Sequence, residues 1–353
     1  MTVQLSVVVP VYGVERYLYE CLDSIRAGLT PEENARVEVV AVDDASPDSC
    51  GEMLDAYAAR HGNLRVRHLT ENVGLGLARN AGLAEATGEF VWFVDSDDVL
   101  PAGSTRAVLE RLRETTPDVL LIDHLRVHDD GRVEVDASSP VLSGPHTLEN
   151  LLGLQHTAWN RIVRREFLTE NGLEFPPGWY EDVPFTKPVL IAARSIAVLD
   201  RVCYHYRIGR AGAITATRSE RHFEAFEQYD RLHEWLAARD VPDSVRHRMF
   251  TLTMNHLMVV AGNDTRVLPV HRRAFFHRIV QLYRRHQPAG YQAPGGAAGL
   301  KIRLVAAGNY SMYAALRAGY RVAGLRRRSM QRTPPVNPGA ASTSQTGQTT
   351  SIR

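Results

Sequence analysis

The chain has 353 residues, of which 44% are hydrophobic and 23% charged, so it can build a full core with the composition of a soluble globular protein. No apolar run approaches the roughly 20 residues that span a bilayer, and the short apolar stretch after Met1 lacks a cationic leader, so a cytoplasmic protein is expected. Cys21, Cys50 and Cys203 are too scattered for a zinc site or a disulfide framework, and with Lys187 and Lys301 as the only lysines there is no lysine-bearing phosphate loop and little material for Schiff-base chemistry.

Leu5 to Val9 forms a buried first strand, stopped by Pro10-Val11-Tyr12-Gly13, and the following segment sets Leu18, Leu22 and Ile25 on one helical face. Val37 to Val42 is a second strand that ends in Asp43-Asp44-Ala45-Ser46-Pro47. A helix carrying Met53, Leu54 and Tyr57 follows, then an edge-like strand over Leu64 to Leu69. After Asn72-Val73-Gly74 an Ala-rich helix runs through Arg79 and Asn80 to Gly88. Strand and helix thus alternate, which predicts a mostly parallel sheet with helices on both faces and a ligand crevice beyond the carboxyl ends of the strands. Tyr12, Asp43 and Asp97 fall at those ends.

The next strand, Phe90-Val91-Trp92-Phe93-Val94, has no polar alternation and runs straight into Asp95-Ser96-Asp97-Asp98. A lone Asp-x-Asp is usually a solvated turn. Three carboxylates crowded beside a buried strand repel one another, and a bound divalent cation, Mg²⁺ or Mn²⁺ by the preference of hard ions for oxygen, keeps them ionised most easily. Farther on, Asp118 to Asp123 reads as a short strand and Leu125 to Val135 as a hairpin turned at Asp129-Asp130-Gly131. Phe175-Pro176-Pro177-Gly178-Trp179-Tyr180 is a loop leading to Glu181-Asp182, where a helix begins; a carboxylate pair there also suits the helix macrodipole. A strand pair is expected at Ile196 to Leu199 and Val202 to Tyr206.

From Ser219 the pattern is helical, and His256 on an apolar stripe reads as an interior group. A break at Gln287 to Gly299 precedes one basic helix, Leu300 to Arg328, and residues 333–353 are polar enough to be disordered. Fifteen basic and no acidic residues lie beyond Asp264, so residues 1–264, with 26 basic against 40 acidic side chains, carry a formal charge of −14. This segregation allows two readings of the basic helix: attachment to an anionic membrane surface, or packing on the acidic body of the same chain.

Val8-Val9-Pro10-Val11-Tyr12, Val42-Asp43-Asp44-Ala45-Ser46, Asn72-Val73-Gly74 with Ala78-Arg79-Asn80-Ala81-Gly82, and Phe93-Val94-Asp95-Ser96-Asp97-Asp98 resemble, in order and spacing, the nucleotide-sugar domain of glycosyltransferase family 2. Trp159-Asn160-Arg161, Tyr180-Glu181-Asp182 and Tyr204-His205-Tyr206-Arg207 look like its later motifs. More narrowly, the chain resembles the amino-terminal part of actinobacterial proteins that join such a domain to a CDP-glycerol glycerophosphotransferase domain, and only the glycosyltransferase half carries over. Ala45 stands where Gly is usual, and Arg161 where Lys is common.

The resemblance implies a GT-A fold over residues 1–215, followed by a helical basic region over 216–330 and a tail over 331–353. It implies inverting transfer from a nucleotide-diphosphate sugar to an acceptor hydroxyl, lipid-linked or polymeric, in synthesis of cell-envelope polysaccharide or a teichoic-acid-like polymer. Pro10, Tyr12 and Asp43 would hold base and ribose, Arg79 would lie near the pyrophosphate, and Asp95 with Asp97 would form the metal site. Asp98 would support that site, Asp182 would be the general base, and Glu181 would orient it.

A sugar nucleotidyltransferase is the nearest enzymatic rival, but its Gly-rich basic loop after strand one is absent. A non-catalytic envelope-polymer binding module has no use for both Asp97 and Asp182. The Arg-rich tail carries no nucleic-acid-binding motif, and no nucleic-acid partner is expected.

Overall fold

The computed structural model describes residues 3–128, 130–136, 139–209 and 217–319. The four apolar runs of the first hundred residues become strands β1 (Leu5–Val11), β2 (Val37–Asp43), β3 (Leu64–His68) and β4 (Phe90–Phe93), which lie parallel in the order β3-β2-β1-β4. Every residue of β1, β2 and β4 is buried, because helices cover both faces of the sheet. The pleat sorts their side chains: Val8, Val40, Val42, Val91 and Phe93 enter one apolar cluster, while Val7, Val9, Val39, Ala41 and Trp92 enter the other.

Three further strands extend the sheet beyond β4, and an eighth joins it off that path. These are β5 (Val119–His128), β6 (Val133–Val135), β7 (Arg161–Arg164) and β8 (Ile196–Ile208). β7 runs antiparallel between β4 and β5, β6 closes a hairpin on β5, and β8 lies parallel to β5. The strand expected to stop at Asp123 therefore continues into the first arm of the expected hairpin, as far as His128. The pair expected at Ile196 to Tyr206 is likewise one strand, and irregular pairing beside Asp123 absorbs what would have been a turn between two.

The helical region packs onto the sheet rather than standing apart from it. Phe226, Tyr229 and Leu232 of the helix Glu224–Ala237, Met249 and Met254 of the helix Asp243–Gly262, and Phe275 and Ile279 of the helix Arg272–His286 belong to the same apolar cluster as Phe93, Phe175 and Phe185. The helix expected over Leu300 to Arg328 is broken: Gly296–Ala306 forms one helix, Gly308 turns the chain with φ of 66°, and a second helix occupies 310–319. Glycine takes that φ without strain, which is why the break falls there. Ile302, Val305 and Tyr313 are buried, and Arg317 pairs with Asp264 and donates to Gly262 O at 2.9 Å. Of the two readings of the basic segment, packing on the protein's own body describes it up to residue 319. The rest of the segment and the tail lie outside the described residues. No helix among them is long and apolar enough to cross a membrane.

One close approach sets how the helix Leu75–Glu85 sits on the sheet. A Cβ built on Gly82 would lie 2.4 Å from Val8 Cγ1 and 3.1 Å from Val42 Cγ2, and β-branched side chains in a buried strand have no other rotamer to retreat to. Gly82→Ala is therefore expected to destabilise the fold by about 1–3 kcal/mol through overpacking, outweighing alanine's helix-propensity advantage of roughly 1 kcal/mol. Urea unfolding of the two proteins measures the difference.

Candidate active site

Parallel register brings the ends of the strands to one level. Asp44 N donates to Val11 O, Val94 N to Val8 O and Leu69 N to Asp43 O, so the residues just past β1, β2 and β4 meet in one crevice, as expected of such a sheet. The cleft measures about 720 Å³ and is walled by Pro10, Tyr12, Asp44, Asn72–Leu75, Asp95, Asp97 and, across from them, Trp179, Glu181, Tyr206 and Arg221.

On one side the wall is a pair of turns. Tyr12 is 49% exposed, an aromatic face left open in the cleft. Both oxygens of the Asp43 carboxylate are engaged behind it, accepting from Ser46 N at 3.0 Å and meeting His68 Nδ1 at 3.0 Å. Burial alone would raise the pKa of Asp43, but the hydrogen bonds from Ser46 and His68 outweigh it and hold the group below the usual carboxylate range. The carboxylate at the cleft wall is that of the next residue, Asp44, which accepts from Val73 N and Gly74 N at 2.8 and 2.9 Å. Ala45 follows in the left-handed region, with φ of 54°. Glycine would sit there without strain; alanine is held by the bond from Ser46 N to Asp43 that spans it and by the bonds of Asp44 before it.

The aspartate turn is clamped from β8. Tyr204 donates its hydroxyl to Asp98 Oδ2 at 2.7 Å and accepts from Asp95 N at 3.1 Å, while Arg207 donates from its backbone N to Asp98 Oδ1 at 2.7 Å and from Nε to Asp97 O at 2.9 Å. Trp159 lies flat on Tyr204, with ring centroids 4.3 Å apart. Asp98 thus points inward, and burial followed by the charges of Asp97 and Asp95 pushes its carboxyl well above the usual range. Asp95 and Asp97 face the cleft. Among the described residues no group of three or more His, Cys, Asp or Glu side chains could hold a metal ion. Two cleft-facing carboxylates nonetheless fit Mg²⁺ or Mn²⁺ as substrate-bridging ions, which take one or two carboxylates from the protein and further oxygens from phosphates and water.

Arg79 links the two sides. It is 1% exposed, and it donates from Nη2 to Asp95 Oδ1 at 2.7 Å and from Nη1 to Glu181 Oε1 at 2.9 Å, its guanidinium lying over the Phe175 ring. Burial lowers the pKa of a guanidinium, but these two carboxylates more than reverse the effect. Arg79 is thus behind the cleft wall rather than in it. Its close fit with the opposite loop needs Gly76, where a Cβ would lie 2.7 Å from Pro176 O and 2.9 Å from Glu181 Cγ.

The loop before the helix Val183–Ala192 carries Glu181 and Asp182, and the helical region holds it. Glu224 accepts from Trp179 N at 2.6 Å, Gln228 donates to Pro177 O at 2.8 Å, and Arg221 stacks over the Trp179 ring at 4.7 Å. Tyr180 has φ of 65°, a conformation a bulky residue keeps only when its surroundings enforce it. His222 Nε2 lies 2.8 Å from Thr217 O and must donate there, so Nδ1 accepts from Tyr180 Oη at 2.7 Å and pins the strained residue. Glu181 lines the cleft and is committed to Arg79. Asp182 is half-buried at the head of the helix, outside the cleft lining; burial and then the neighbouring Glu181 push its carboxyl up to about 8, against the pull of Arg79. Arg221 and Trp179 escaped attention in the sequence because no spacing rule joins them to the donor motifs; the Pro-Pro-Gly-Trp run was the only signal.

A buried charge stripped of its partner is costly. Arg79→Ala is expected to destabilise the protein by about 3–5 kcal/mol, and adding Glu181→Gln to that variant should recover part of the loss by removing the orphaned carboxylate. A double-mutant cycle in urea measures the coupling.

Residues 6–167 match the family model described as Glycosyl transferase family 2. Over 213 residues the chain is 30% identical to the uncharacterized glycosyltransferase EpsJ of Bacillus subtilis (strain 168), covering 58% of this chain and 60% of that protein. It is 34% identical over 213 residues to the poly(ribitol-phosphate) beta-N-acetylglucosaminyltransferase TarS of Staphylococcus aureus (strain Mu50 / ATCC 700699), covering 59% of this chain and 36% of TarS. The chain therefore spans less than two thirds of either relative. The crystal structure of TarS 1–349 in complex with UDP-GlcNAc superposes with a TM-score of 0.73 at 23% identity, over 91% of this chain and 92% of that one, so the sheet and its helical annex share the GT-A architecture of that enzyme. The likeness to glycosyl transferase family 2 is carried by residues 6–167, just under half of the chain.

Proposed function

We propose that the protein is an inverting glycosyltransferase that moves a sugar from a nucleotide-diphosphate sugar to a hydroxyl of a cell-envelope polymer or its lipid-linked precursor. The observation that carries this reading is the Arg79 bridge, which ties the Asp-x-Asp turn to the Glu181-Asp182 loop across one cleft. A donor's diphosphate and an acceptor's hydroxyl would be brought together between those two elements. TarS is solved with UDP-GlcNAc, so UDP-linked amino sugars are the first donors to try, and polyol-phosphate chains the first acceptors.

Each residue then has a task. Tyr12 offers a face for the base beside Pro10, and Asp43 shapes the turn that presents Asp44. Asp95 and Asp97 would hold Mg²⁺ or Mn²⁺ against the diphosphate, and the ion would supply Lewis-acid stabilisation of the charge that develops on the leaving group. Asp182 is the base. As the acceptor oxygen bonds to the anomeric carbon, the bond from that carbon to the donor phosphate breaks, the electron pair leaves with the nucleoside diphosphate, and the hydroxyl proton passes to the Asp182 carboxylate. Glu181 is a poorer base because Arg79 already stabilises its anion, whereas Asp182 makes no such pair and is more basic. The inner face of the cell membrane is where lipid-linked acceptors would be met.

Asp97→Ala is expected to abolish donor turnover, and excess chelator should do the same to the wild type; turnover that survives chelation would remove the metal from the scheme. Asp182→Asn should keep nucleotide-sugar affinity while transfer falls by about a hundredfold to ten-thousandfold. Because only the carboxylate form accepts a proton, the wild-type rate should rise with pH through a limb far above the usual carboxylate range, near the value of about 8 to which Asp182 is pushed. A limb near pH 4 would exclude Asp182 as the titrating base.

A further inference from the structure

The Trp159-Asn160-Arg161 motif has no place in the cleft, yet Arg161 is fully buried. Its guanidinium bonds only to neutral oxygens: Nε and Nη2 to Asn160 Oδ1 at 3.0 and 2.9 Å, Nη1 to Thr186 O at 2.7 Å and Nη2 to Gln155 O at 3.3 Å. Arg161 makes no ion pair among the described residues, although a buried cation ordinarily demands a carboxylate. Thr186 is the link to the site, since its N–H and its hydroxyl donate to Asp182 O at 2.8 and 2.6 Å. Arg161 is therefore joined through one residue, Thr186, to the first turn of the helix that carries the base. Burial lowers the pKa of this guanidinium, and the acidic group whose charge opposes that is Asp182.

We propose that Arg161 is a positioning residue for Asp182: its buried charge favours the carboxylate form of that group, and its bond to Thr186 O fixes the head of the helix. The inference rests on the reading of Asp182 as base. The other charged or titratable groups around Asp182 oppose one another. Glu181 and Asp95 raise it, Arg79 lowers it, Tyr180 and Tyr229 feel its charge, and Lys187 lies behind it. Lys187 gives its three protons no carboxylate either. It donates to Leu152 O and Leu154 O at 2.9 and 2.6 Å, and burial, then the charges of Arg161 and Arg248, lowers its pKa well below the usual lysine value; burial likewise lowers His156 and His256 beyond it. Burial lowers Arg161 too, to about 9 against the pull of Asp182, which leaves it a cation at neutral pH.

The test is the pH dependence of transfer at saturating UDP-sugar and Mn²⁺ in the full chain, for wild type, Arg161→Gln, Arg161→Lys and Asp182→Asn. Arg161→Gln should move the rising limb up by about one pH unit, costing roughly tenfold below the limb and little above it, with donor KM unchanged. Arg161→Lys puts at this buried position an ammonium that gives up its charge more readily than a guanidinium, and should move the limb up in the same direction. A uniform loss at all pH values in Arg161→Gln, with the limb unmoved, would reduce Arg161 to a structural pin and overturn the inference while leaving the base assignment intact. Should Arg161→Gln fail to fold, Arg161→Lys decides: a limb moved upward supports the inference, and one at the wild-type pH overturns it. Wild-type transfer by Asp182→Asn would instead overturn the base assignment and this inference with it.

Discussion

A single guanidinium, buried and bonded to a carboxylate on each side, sets the geometry of the cleft. Arg79 holds Asp95 and Glu181 at hydrogen-bond distance from itself, so the turn after β4 and the loop before the helix Val183–Ala192 cannot drift apart without exposing two desolvated carboxylates to each other. Around this point the structure spends rigidity. Gly76 lets the helix of Arg79 touch the opposite loop, Tyr204 and Arg207 fix the aspartate turn, and His222 enforces the φ of Tyr180. Pre-positioned donors and charges need no rearrangement when a substrate arrives, and that is where an enzyme built on electrostatics gains most.

Much of this architecture was legible in the sequence. Uninterrupted apolar runs such as Val7-Val8-Val9 and Phe90 to Val94 have one outlet in a soluble chain, a strand covered on both faces, and their alternation with amphipathic helices implies the parallel half of the sheet. The motifs at the strand ends then located the cleft. What could not be read were features decided by pairing across long separations. The extended β5 and the unbroken β8 owe their length to each other. The partner of Arg79 is 102 residues away at Glu181, and a buried Arg looks no different in a sequence from one that touches pyrophosphate. Asp43 and Asp44 are adjacent and chemically alike, so which of them faces the cleft is a matter of strand parity and turn geometry. Gly308 illustrates the opposite case, a visible breaker inside a segment read as one helix on charge pattern alone.

Charge segregation along the chain has a structural counterpart. The −14 of residues 1–264 is met in part by basic groups of the helical region: Arg285 and His286 reach Asp230, and Arg272 and Arg317 converge on Asp264. Asp264, the last acidic residue of the chain, is thus a collection point for the cationic end. Such pairs at the surface contribute little individually, but they give the segment up to residue 319 an internal partner for its charge.

The loop that carries Glu181 and Asp182 hangs from the helical region through Glu224, Gln228 and His222, while the residues of the facing wall follow the parallel strands. The two kinds of recognition are thereby assigned to different stretches of chain that meet at one arginine. Such a division lets evolution treat them as separate inheritances. Substitutions in the helical annex could thus reshape the loop side of the cleft without touching the strands that form its other wall.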